Sequence, residues 1–326
     1  MNDIPQAVAL LRRGDLVALP TETVYGLGAD AMNPEACAKI FAAKGRPSDH
    51  PLIVHLPDAE QLPVWARAIP KEAIALARAF WPGPLTLILK KHEDVPDLVT
   101  GGQDTVGLRV PNHPVALELL HAFGGGIAAP SANRFGRISP TTAAHVREEL
   151  GDRVPLILDG GPCQVGLEST ILDLSRDVPV ILRPGAIGVD DIARVIGRRP
   201  RLRGEDEAGQ GGDATPRVSG ALAAHYAPRT PLELVAGADL LAAIQPGDAV
   251  LARMARPDSL PDGLRWVVAA PDAATYGHDL YAALRDLDSA GCRRILVETP
   301  PASPEWSAVI DRLGRAAVGS GEDDET

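Results

Sequence analysis

The sequence predicts two α/β units, the first built on a twisted mixed sheet and the second a smaller Rossmann-like unit. Short apolar runs, typical of buried strands, alternate irregularly with helical patterns over residues 1–199, which favours a mixed sheet over a strictly parallel one. Residues 201–213 are charged, rich in glycine and almost free of large apolar side chains, as in a linker. A second alternation of strand and helix patterns covers 229–318, which is an ordinary domain length.

The elements of the first unit follow from apolar periodicity and from residues that begin or end helices. Pro20 ends the first strand because it cannot donate a hydrogen bond to a neighbouring strand. Ser139 followed by Pro140 predicts a helix start, with Ser139 as the N-cap. We predict strands at 16–19, 52–56, 85–89, 106–110, 127–129, 156–158, 170–174 and 180–182, and helices at 4–13, 35–43, 69–80, 114–121, 141–150 and 190–196.

Four segments result along the chain. They are a catalytic domain at 1–199, a linker with an active-site lid at 200–228, a C-terminal α/β domain at 229–318 and a disordered acidic tail at 319–326. In the C-terminal domain we predict strands at 249–252, 266–269 and 293–298, and helices at 278–290 and 304–318.

Composition restricts the class of protein. Hydrophobic residues make up 45% of the chain and charged residues 23%, as in ordinary globular proteins, and no apolar run reaches the length of a membrane span. The N-terminus has no signal-peptide pattern, and three widely spaced cysteines indicate neither a disulfide framework nor a zinc site, so we expect a cytoplasmic protein without membrane association.

The net charge of −11 argues against a protein whose whole surface binds nucleic acid. Its distribution is uneven, because residues 1–200 hold 20 lysines and arginines against 23 acidic residues, whereas residues 201–326 hold 12 against 20. We therefore expect an anionic ligand to bind mainly to the first part of the chain.

The stretch 20–28 carries the densest set of functional side chains, with two threonine hydroxyls, a carboxylate and a phenol directly after a predicted strand. A loop that holds a small polar substrate uses such groups, although an ordinary polar turn remains the alternative. Residues 26–31 also match the dinucleotide pattern G-x-G-x-x-A. We reject that fingerprint, because it needs the strand to end at the first glycine and the helix to begin at once.

Several basic residues are candidates for anion binding. Lys44 and Arg46 flank Gly45 at a predicted helix end, where they suit phosphate or bicarbonate but could also simply complement the helix dipole. Arg109 and Arg183 lie within or at the end of apolar strands, where an arginine seldom lies without a partner, a surface salt bridge being the alternative. A histidine inside an apolar strand, such as His55, is more often a buried core residue than a catalytic one.

The chain lacks the Walker A, H-E-x-x-H, C-x-x-C and G-x-S-x-G patterns. If it uses ATP, it does so outside the P-loop class. No nucleophile–base pair is evident, so positioning and electrostatic stabilisation would have to carry a reaction.

Taken together, these motifs resemble the L-threonylcarbamoyladenylate synthase family of YrdC-like enzymes, in its long two-domain form. The matching segments span nearly the whole chain. They are 20–28, Lys44-Gly45-Arg46-Pro47, 51–55, Trp81-Pro82-Gly83-Pro84-Leu85-Thr86, Ser131-Ala132-Asn133, 166–170, Arg183-Pro184-Gly185 and His225-Tyr226-Ala227-Pro228.

The resemblance implies a YrdC-like first domain and synthesis of threonylcarbamoyl-AMP and pyrophosphate from L-threonine, bicarbonate or CO2, and ATP, with Mg2+ on the phosphates. It also implies transfer of the product by a separate tRNA threonylcarbamoyltransferase complex to the adenosine beside the anticodon. The resemblance implies that the catalytic residues are Lys44, Arg46, Ser131 and Asn133, and that threonine is bound by Thr23, His55, Arg109 and Ser169. It implies that ATP is bound by Arg46, His50, Thr105, Ser131, Ser139, Arg183 and Tyr226. His225 and Tyr226 would form a lid, and no side chain is expected to ligate a metal.

Two other functions stay open at this point. A module that binds double-stranded RNA or tRNA without ATP turnover would fit a cation-lined concave face, but the net charge and the absence of an aromatic–basic stripe count against it. Carbamoyl transfer, as in hydrogenase maturation, would require acylphosphatase and zinc-finger segments that this chain lacks.

Overall fold

The computed structural model describes residues 3–205, 215–260 and 263–321. Contacts divide the chain into two units. The first unit contains Met1–Arg134, Pro140–Gln164 and Glu168–Ala221, and the second contains Phe135–Ser139, Val165–Leu167 and Leu222–Thr326. The division after Ala221 falls inside the segment 200–228 that the sequence predicts as a linker.

The described part of the first unit forms one mixed sheet flanked by helices. Its strands are β1 (Val17–Leu19), β2 (Gly26–Asp30), β3 (Ile53–His55), β4 (Leu85–Lys90), β5 (Thr105–Arg109), β6 (Ile127–Ala128), β7 (Leu156–Ile157), β8 (Thr170–Asp173), β9 (Val180–Arg183) and β10 (Arg201–Leu202). Its helices are α1 (Ile4–Arg12), α2 (Pro34–Lys44), α3 (Leu62–Trp65), α4 (Lys71–Phe80), α5 (Asp97–Thr100), α6 (Pro114–Phe123), α7 (Ala143–Leu150) and α8 (Val189–Ile196), with 3-10 turns at Ala59–Gln61 and Gly151–Arg153.

The strand order β10-β9-β8-β4-β5-β3-β6-β2-β1-β7 combines parallel and antiparallel pairs. For example, β3 and β5 run parallel, whereas β4 and β5 run antiparallel. The prediction of a mixed rather than strictly parallel sheet is therefore confirmed.

The two faces of this sheet have different neighbours. Alternate strand residues such as Val54, Leu87 and Leu108 enter the main core, together with buried side chains of α2, α3, α4, α7 and α8. On the other face, α1 and α6 cover β1 and β6 through a second cluster. Between that cluster and β9, the same face is formed by the residues of β3, β4 and β5 whose side chains point away from the main core. We call this region the site face. Its residues are Ile53, His55, Thr86, Ile88, Thr105, Gly107 and Arg109.

The second unit contains a smaller parallel sheet. Its strands are β11 (Leu232–Val235), β12 (Asp248–Ala252), β13 (Arg265–Val268) and β14 (Arg294–Glu298), in the order β11-β14-β12-β13, and its helices are α9 (Leu240–Ala243), α10 (Ala273–Asp288) and α11 (Ser307–Gly319), with a 3-10 turn at Pro304–Trp306. Each adjacent pair is parallel. Central strands with continuous apolar runs are typical of a parallel sheet whose two faces are covered, and they confirm the Rossmann-like prediction.

The stretch 20–28 is only partly a loop, because Gly26 begins β2, a strand that the sequence analysis did not predict. A Cβ atom at Gly28 would lie 2.9 Å from both Ile127 and Leu19 side chains, so glycine allows the neighbouring strands to pack closely. Rejection of the dinucleotide fingerprint is confirmed, since its glycines lie within an antiparallel strand instead of at a strand-to-helix turn.

The predicted helix start at Ser139-Pro140 is wrong. Helix α7 begins at Ala143, and the Thr142 hydroxyl caps it by accepting from the His145 N–H at 3.2 Å. The two preceding carbonyls are used elsewhere, since Pro140 accepts from Tyr25 N–H and Thr141 accepts from Cys163 N–H, both at 2.9 Å. These long-range bonds hold 140–141 in a non-helical conformation.

The predicted linker is not free of regular structure. Arg201–Leu202 forms β10, parallel to β9, and the Arg201 N–H donates to Pro179 O at 2.9 Å. The glycine-rich part at 206–214 and the tail residues 322–326 lie outside the described residues. Gly319, predicted to begin the tail, is the last residue of α11. Strand β11 and the short helices α3, α5 and α9 also lacked a sequence prediction.

In the described parts of the chain, helices do not reach the combined length and apolar character that a membrane crossing needs.

Candidate active site

The site face is organised by strand alternation. His55 pairs with Arg109 across β3 and β5, and their sequence neighbours Val54 and Leu108 enter the main core. The antiparallel register of β4 and β5 pairs Leu87 with Leu108. One residue further along, Thr86 therefore lies opposite Arg109. A period of two therefore brings a histidine, an arginine and a threonine to one patch of the sheet.

The loop after β1 adds hydroxyls to this patch. The Thr21 hydroxyl donates to Val24 O at 2.7 Å and accepts from the Thr23 N–H at 3.2 Å, which fixes the loop. Arg109 Nη1 donates to Thr23 Oγ1 at 2.9 Å, and its Nε donates to Gly83 O at 3.2 Å. The Arg109 guanidinium is therefore held by two segments distant in sequence.

Glu22 supplies the opposing charge. Its Oε1 lies 2.7 Å from Arg109 Nη2, and both side chains are almost completely buried. Its Oε2 accepts from the Asn112 N–H at 2.9 Å. A buried carboxylate with two such neighbours compensates the guanidinium inside the protein.

His55 is neutral in this environment. Burial lowers its pKa to about 3, and the nearby charge of Arg109 acts in the same direction. A neutral imidazole has one nitrogen that donates and one that accepts, so His55 can form hydrogen bonds without adding charge.

A second polar network continues from Thr86 toward β9. The hydroxyl oxygens of Thr86 and Ser169 lie 2.7 Å apart, and Arg183 Nη2 donates to Ser169 Oγ at 3.1 Å. Arg183 Nε also donates to Ser169 O, and its Nη1 donates to Ser219 O, both at 3.0 Å. Both networks meet at Thr86 and Arg109, so the structure brings Thr23, His55, Arg109, Ser169 and Arg183 together.

Lys44, Arg46, Ser131 and Asn133 form a neighbouring basic cluster. Lys44 Nζ donates to the main-chain oxygens of Ser131 at 2.5 Å and Asn133 at 2.6 Å. Burial lowers the pKa of Lys44 well below its usual value, and the charge of Arg46 lowers it further. Arg46 Nη2 donates to Pro51 O at 3.0 Å, just before β3. Ser131 and Asn133 thus hold Lys44 through carbonyl groups, which side-chain reasoning does not predict.

Residues 215–221, which we call the strap, cross the site face. Val218 packs with Ile88 and Ile171, and the Gln103 side chain makes two hydrogen bonds to the main chain of Arg217, at 2.6 and 3.1 Å. A narrow, partly open cleft lies beside the strap, and its lining includes Thr105. His50 lies outside that lining, and burial followed by the charge of Arg46 lowers its pKa.

Three predicted site residues belong to the second unit, namely Ser139, His225 and Tyr226. Ser139 is buried but is not the N-cap of helix α7, whose N-cap is Thr142. Tyr226 has a φ of 63° and stacks on Tyr281 with ring centroids 5.8 Å apart. The roles of these three residues in ATP binding and in a lid stay predictions.

Sequence reasoning missed Glu22, Thr86 and the strap contact between Gln103 and Arg217. Glu22 carried a signal, because it lies between two threonines in the densest polar stretch. Thr86 also lies in a motif that the resemblance quotes. Gln103 and Arg217 carried none, since only the fold brings them together. No three His, Cys, Asp or Glu side chains in the described residues are grouped so as to hold a metal ion.

The fold and the site define a class, that of two-unit α/β proteins with a buried, cation-containing polar site on a mixed sheet. Family models then identify the chain. The Sua5/YciO/YrdC model, described as telomere recombination, matches residues 9–185, and the model of the threonylcarbamoyl-AMP synthase C-terminal domain matches residues 187–318. The chain belongs to the threonylcarbamoyl-AMP synthase family and is an enzyme of the nucleotidyltransferase type.

Individual relatives agree with this assignment. The threonylcarbamoyl-AMP synthases of Pyrococcus abyssi and Bacillus subtilis are 40% and 41% identical to this chain, covering 95% and 97% of it and 93% of each relative. The crystal structure of P. abyssi Sua5 complexed with L-threonine matches with a TM-score of 0.85 and 38% identity, over 97% of this chain and 94% of that chain. Escherichia coli YciO matches 56% of this chain and 89% of its own, with a TM-score of 0.50 and 29% identity.

Proposed function

We propose that this enzyme forms threonylcarbamoyl-AMP and pyrophosphate from L-threonine, bicarbonate or CO2, and ATP. The amine of threonine attacks the carbon of CO2 or bicarbonate to give a carbamate, with loss of water in the case of bicarbonate. A carbamate oxygen then attacks the α-phosphorus of ATP, and the bond to the β-phosphate breaks to release pyrophosphate. The observation that carries this proposal is the convergence of Thr23, His55, Arg109, Ser169 and Arg183 on the site face, beside the Lys44–Arg46 cluster.

The charges suit these substrates. ATP, bicarbonate and the carboxylate of threonine are all anionic, so cations must offset their repulsion when they meet in one site. Arg109 is suited to the threonine carboxylate, and Thr23, His55 and Ser169 provide neutral hydrogen-bonding groups around it. Lys44 and Arg46 would stabilise negative charge that develops on the carbamate and the α-phosphate.

For ATP, we propose contacts to Arg46, His50, Thr105, Ser131, Ser139, Arg183 and Tyr226, with Asn133 and Ser131 completing the catalytic set. Thr105 lies in the cleft beside the strap, which supports this assignment. Mg2+ typically binds through substrate phosphates with few protein ligands, so we propose that it enters with ATP. The ion would neutralise part of the phosphate charge.

In the cell, we propose that the product passes to a tRNA threonylcarbamoyltransferase complex in the cytoplasm, for modification of the adenosine beside the anticodon. The P. abyssi structure with L-threonine and the shared family support the substrate assignment. RNA binding without ATP turnover is the less favoured alternative, and a steep loss of RNA affinity with salt would be its signature.

The test is pyrophosphate release by the purified full chain. We expect release that requires both threonine and bicarbonate, and a loss of about 100-fold or more in Arg46→Ala, the typical effect of removing one group that stabilises transition-state charge. Arg78→Ala is the matched control, because Arg78 is an exposed arginine on α4. Circular dichroism checks that both variants are folded. Pyrophosphate release from ATP alone, indifferent to threonine, would contradict the proposal.

A further inference from the structure

Two buried polar atoms lie side by side at the site face without a hydrogen bond among the described residues, the acceptor Glu22 Oε1 and the donor Arg109 Nη2. Glu22 Oε1 and Arg109 Nη2 lie 2.7 Å apart, but the N–H of the guanidinium does not point at the oxygen. Buried polar atoms are seldom left without a hydrogen bond, so a free acceptor beside a free donor indicates a polar ligand.

The side chains that carry these atoms are fixed by their other contacts. Glu22 Oε2 is held by the Asn112 N–H, and Arg109 is held through Nε and Nη1 by Gly83 O and Thr23 Oγ1. Oε1 and Nη2 therefore have defined positions before any ligand binds, as expected of a preorganised site.

The chemistry of the two atoms defines their ligand. A carboxylate oxygen only accepts hydrogen bonds and a guanidinium nitrogen only donates them, so the ligand must both donate and accept. Glu22 and Arg109 together contribute no net charge, and the depressed pKa of His55 keeps it neutral. An ammonium and a carboxylate on one molecule fit this arrangement, whereas a simple anion would leave an uncompensated buried charge.

From this geometry we infer that Glu22 is a substrate-binding residue, whose Oε1 accepts a hydrogen bond from the amino group of the amino-acid substrate while Arg109 binds its carboxylate. The inference rests on the proposed function and adds a residue that selects for the amine. An amino group retains N–H bonds whether it is protonated or neutral, so the contact persists when the amine loses the proton that blocks its attack on CO2. Glu22 would thereby orient the reacting nitrogen.

The test compares two ligands on the full chain by isothermal titration calorimetry. They are L-threonine and (R)-3-hydroxybutanoate, which has the same carbon skeleton with hydrogen in place of the amino group. We expect wild type to bind threonine at least about tenfold more tightly than 3-hydroxybutanoate, because a hydrogen bond to a charged group contributes a factor of this size. In Glu22→Gln, whose amide oxygen still accepts from the Asn112 N–H, threonine affinity should fall about 10- to 100-fold.

The same variant should bind 3-hydroxybutanoate within about threefold of wild type, since that ligand makes no contact that depends on a carboxylate. Unchanged ATP affinity confirms that the variant is folded. Equal losses for both ligands would show that Glu22 only orients Arg109, and an unchanged threonine affinity would exclude any role; either result overturns the inference.

If Glu22→Gln fails to fold, the wild-type comparison alone decides, because equal affinity for the two ligands overturns the inference. A wild-type protein that binds neither ligand and releases no pyrophosphate with threonine defeats the proposed function as well. Threonine binding with undiminished preference in Glu22→Gln defeats only the role of Glu22.

Discussion

Arg183→Lys should destabilise the first unit strongly although it preserves the charge. Arg183 donates from Nε and Nη2 to Ser169 and from Nη1 to Ser219 O in the strap, at 3.0 to 3.1 Å, and is 3% exposed. A lysine ammonium lacks the planar fork that reaches three acceptors in these directions. Loss of two hydrogen bonds from a buried charged donor, at about 1.5–3 kcal/mol each, lowers the free energy of unfolding by about 3–6 kcal/mol.

Differential scanning calorimetry of the full chain measures this effect. For a unit of this size, about 3 kcal/mol corresponds to a fall of at least about 6 °C in Tm. Arg203→Lys is the matched control, because Arg203 is exposed and makes one long hydrogen bond, of 3.4 Å, to Ala221 O; its effect should stay within about 0.5 kcal/mol. If Arg183→Lys lowers Tm no more than Arg203→Lys does, the Arg183 network does not stabilise the unit and the reasoning is wrong.

Two further predictions concern stability. His55 has a pKa of about 3 in the folded protein and about 6.5 in the unfolded chain, so between these pH values the unfolded chain binds more protons. Protonation of the unfolded chain therefore lowers the free energy of unfolding as the pH falls below 6.5, by about 2 kcal/mol at pH 5. Urea unfolding at pH 7.5 and 5 should show this loss in wild type and a smaller one in His55→Asn, and equal losses would refute the assignment. Gly101→Ala should lower the free energy of unfolding by several kcal/mol, because the new Cβ would lie 2.2 Å from Asp49 O. Gly102→Ala is the control, since Gly102 has a similar φ and no atom within 4 Å, and it should cost only about 1 kcal/mol. Equal losses in thermal unfolding would contradict this.

The sequence predicted helices correctly where the residues that begin and end them are bound by neighbours in the chain. The helix predicted at 35–43 is α2, which begins after Asn33, whose side chain accepts from two N–H groups, and ends at Gly45 in the left-handed conformation. Ser139-Pro140 carried an equally good start signal, yet the helix begins later. The difference lies in partners distant in sequence, since Tyr25 N–H bonds the Pro140 carbonyl and no local pattern encodes that bond.

The stretch 20–28 shows the same limit within the candidate site. Its side chains Glu22 and Thr23 contact Arg109 in the candidate site, but its glycines belong to a strand that packs closely on β1 and β6. The candidate residues were found by type and motif, whereas the carbonyl groups that hold Lys44 and the hydroxyl of Thr86 were not, because main-chain and common polar groups have no distinctive sequence signal.

The sequence by itself determined most of the longer elements, the α/β class of both units and the motifs, because apolar periodicity and helix ends depend on neighbours within a few residues. Only the tertiary structure decided which of these residues share a site. Strand pairing places His55, Thr86 and Arg109 side by side, and the loop after β1 then supplies Glu22 and Thr23. Such contacts depend on register between segments up to about a hundred residues apart, and register is set by packing of the whole sheet.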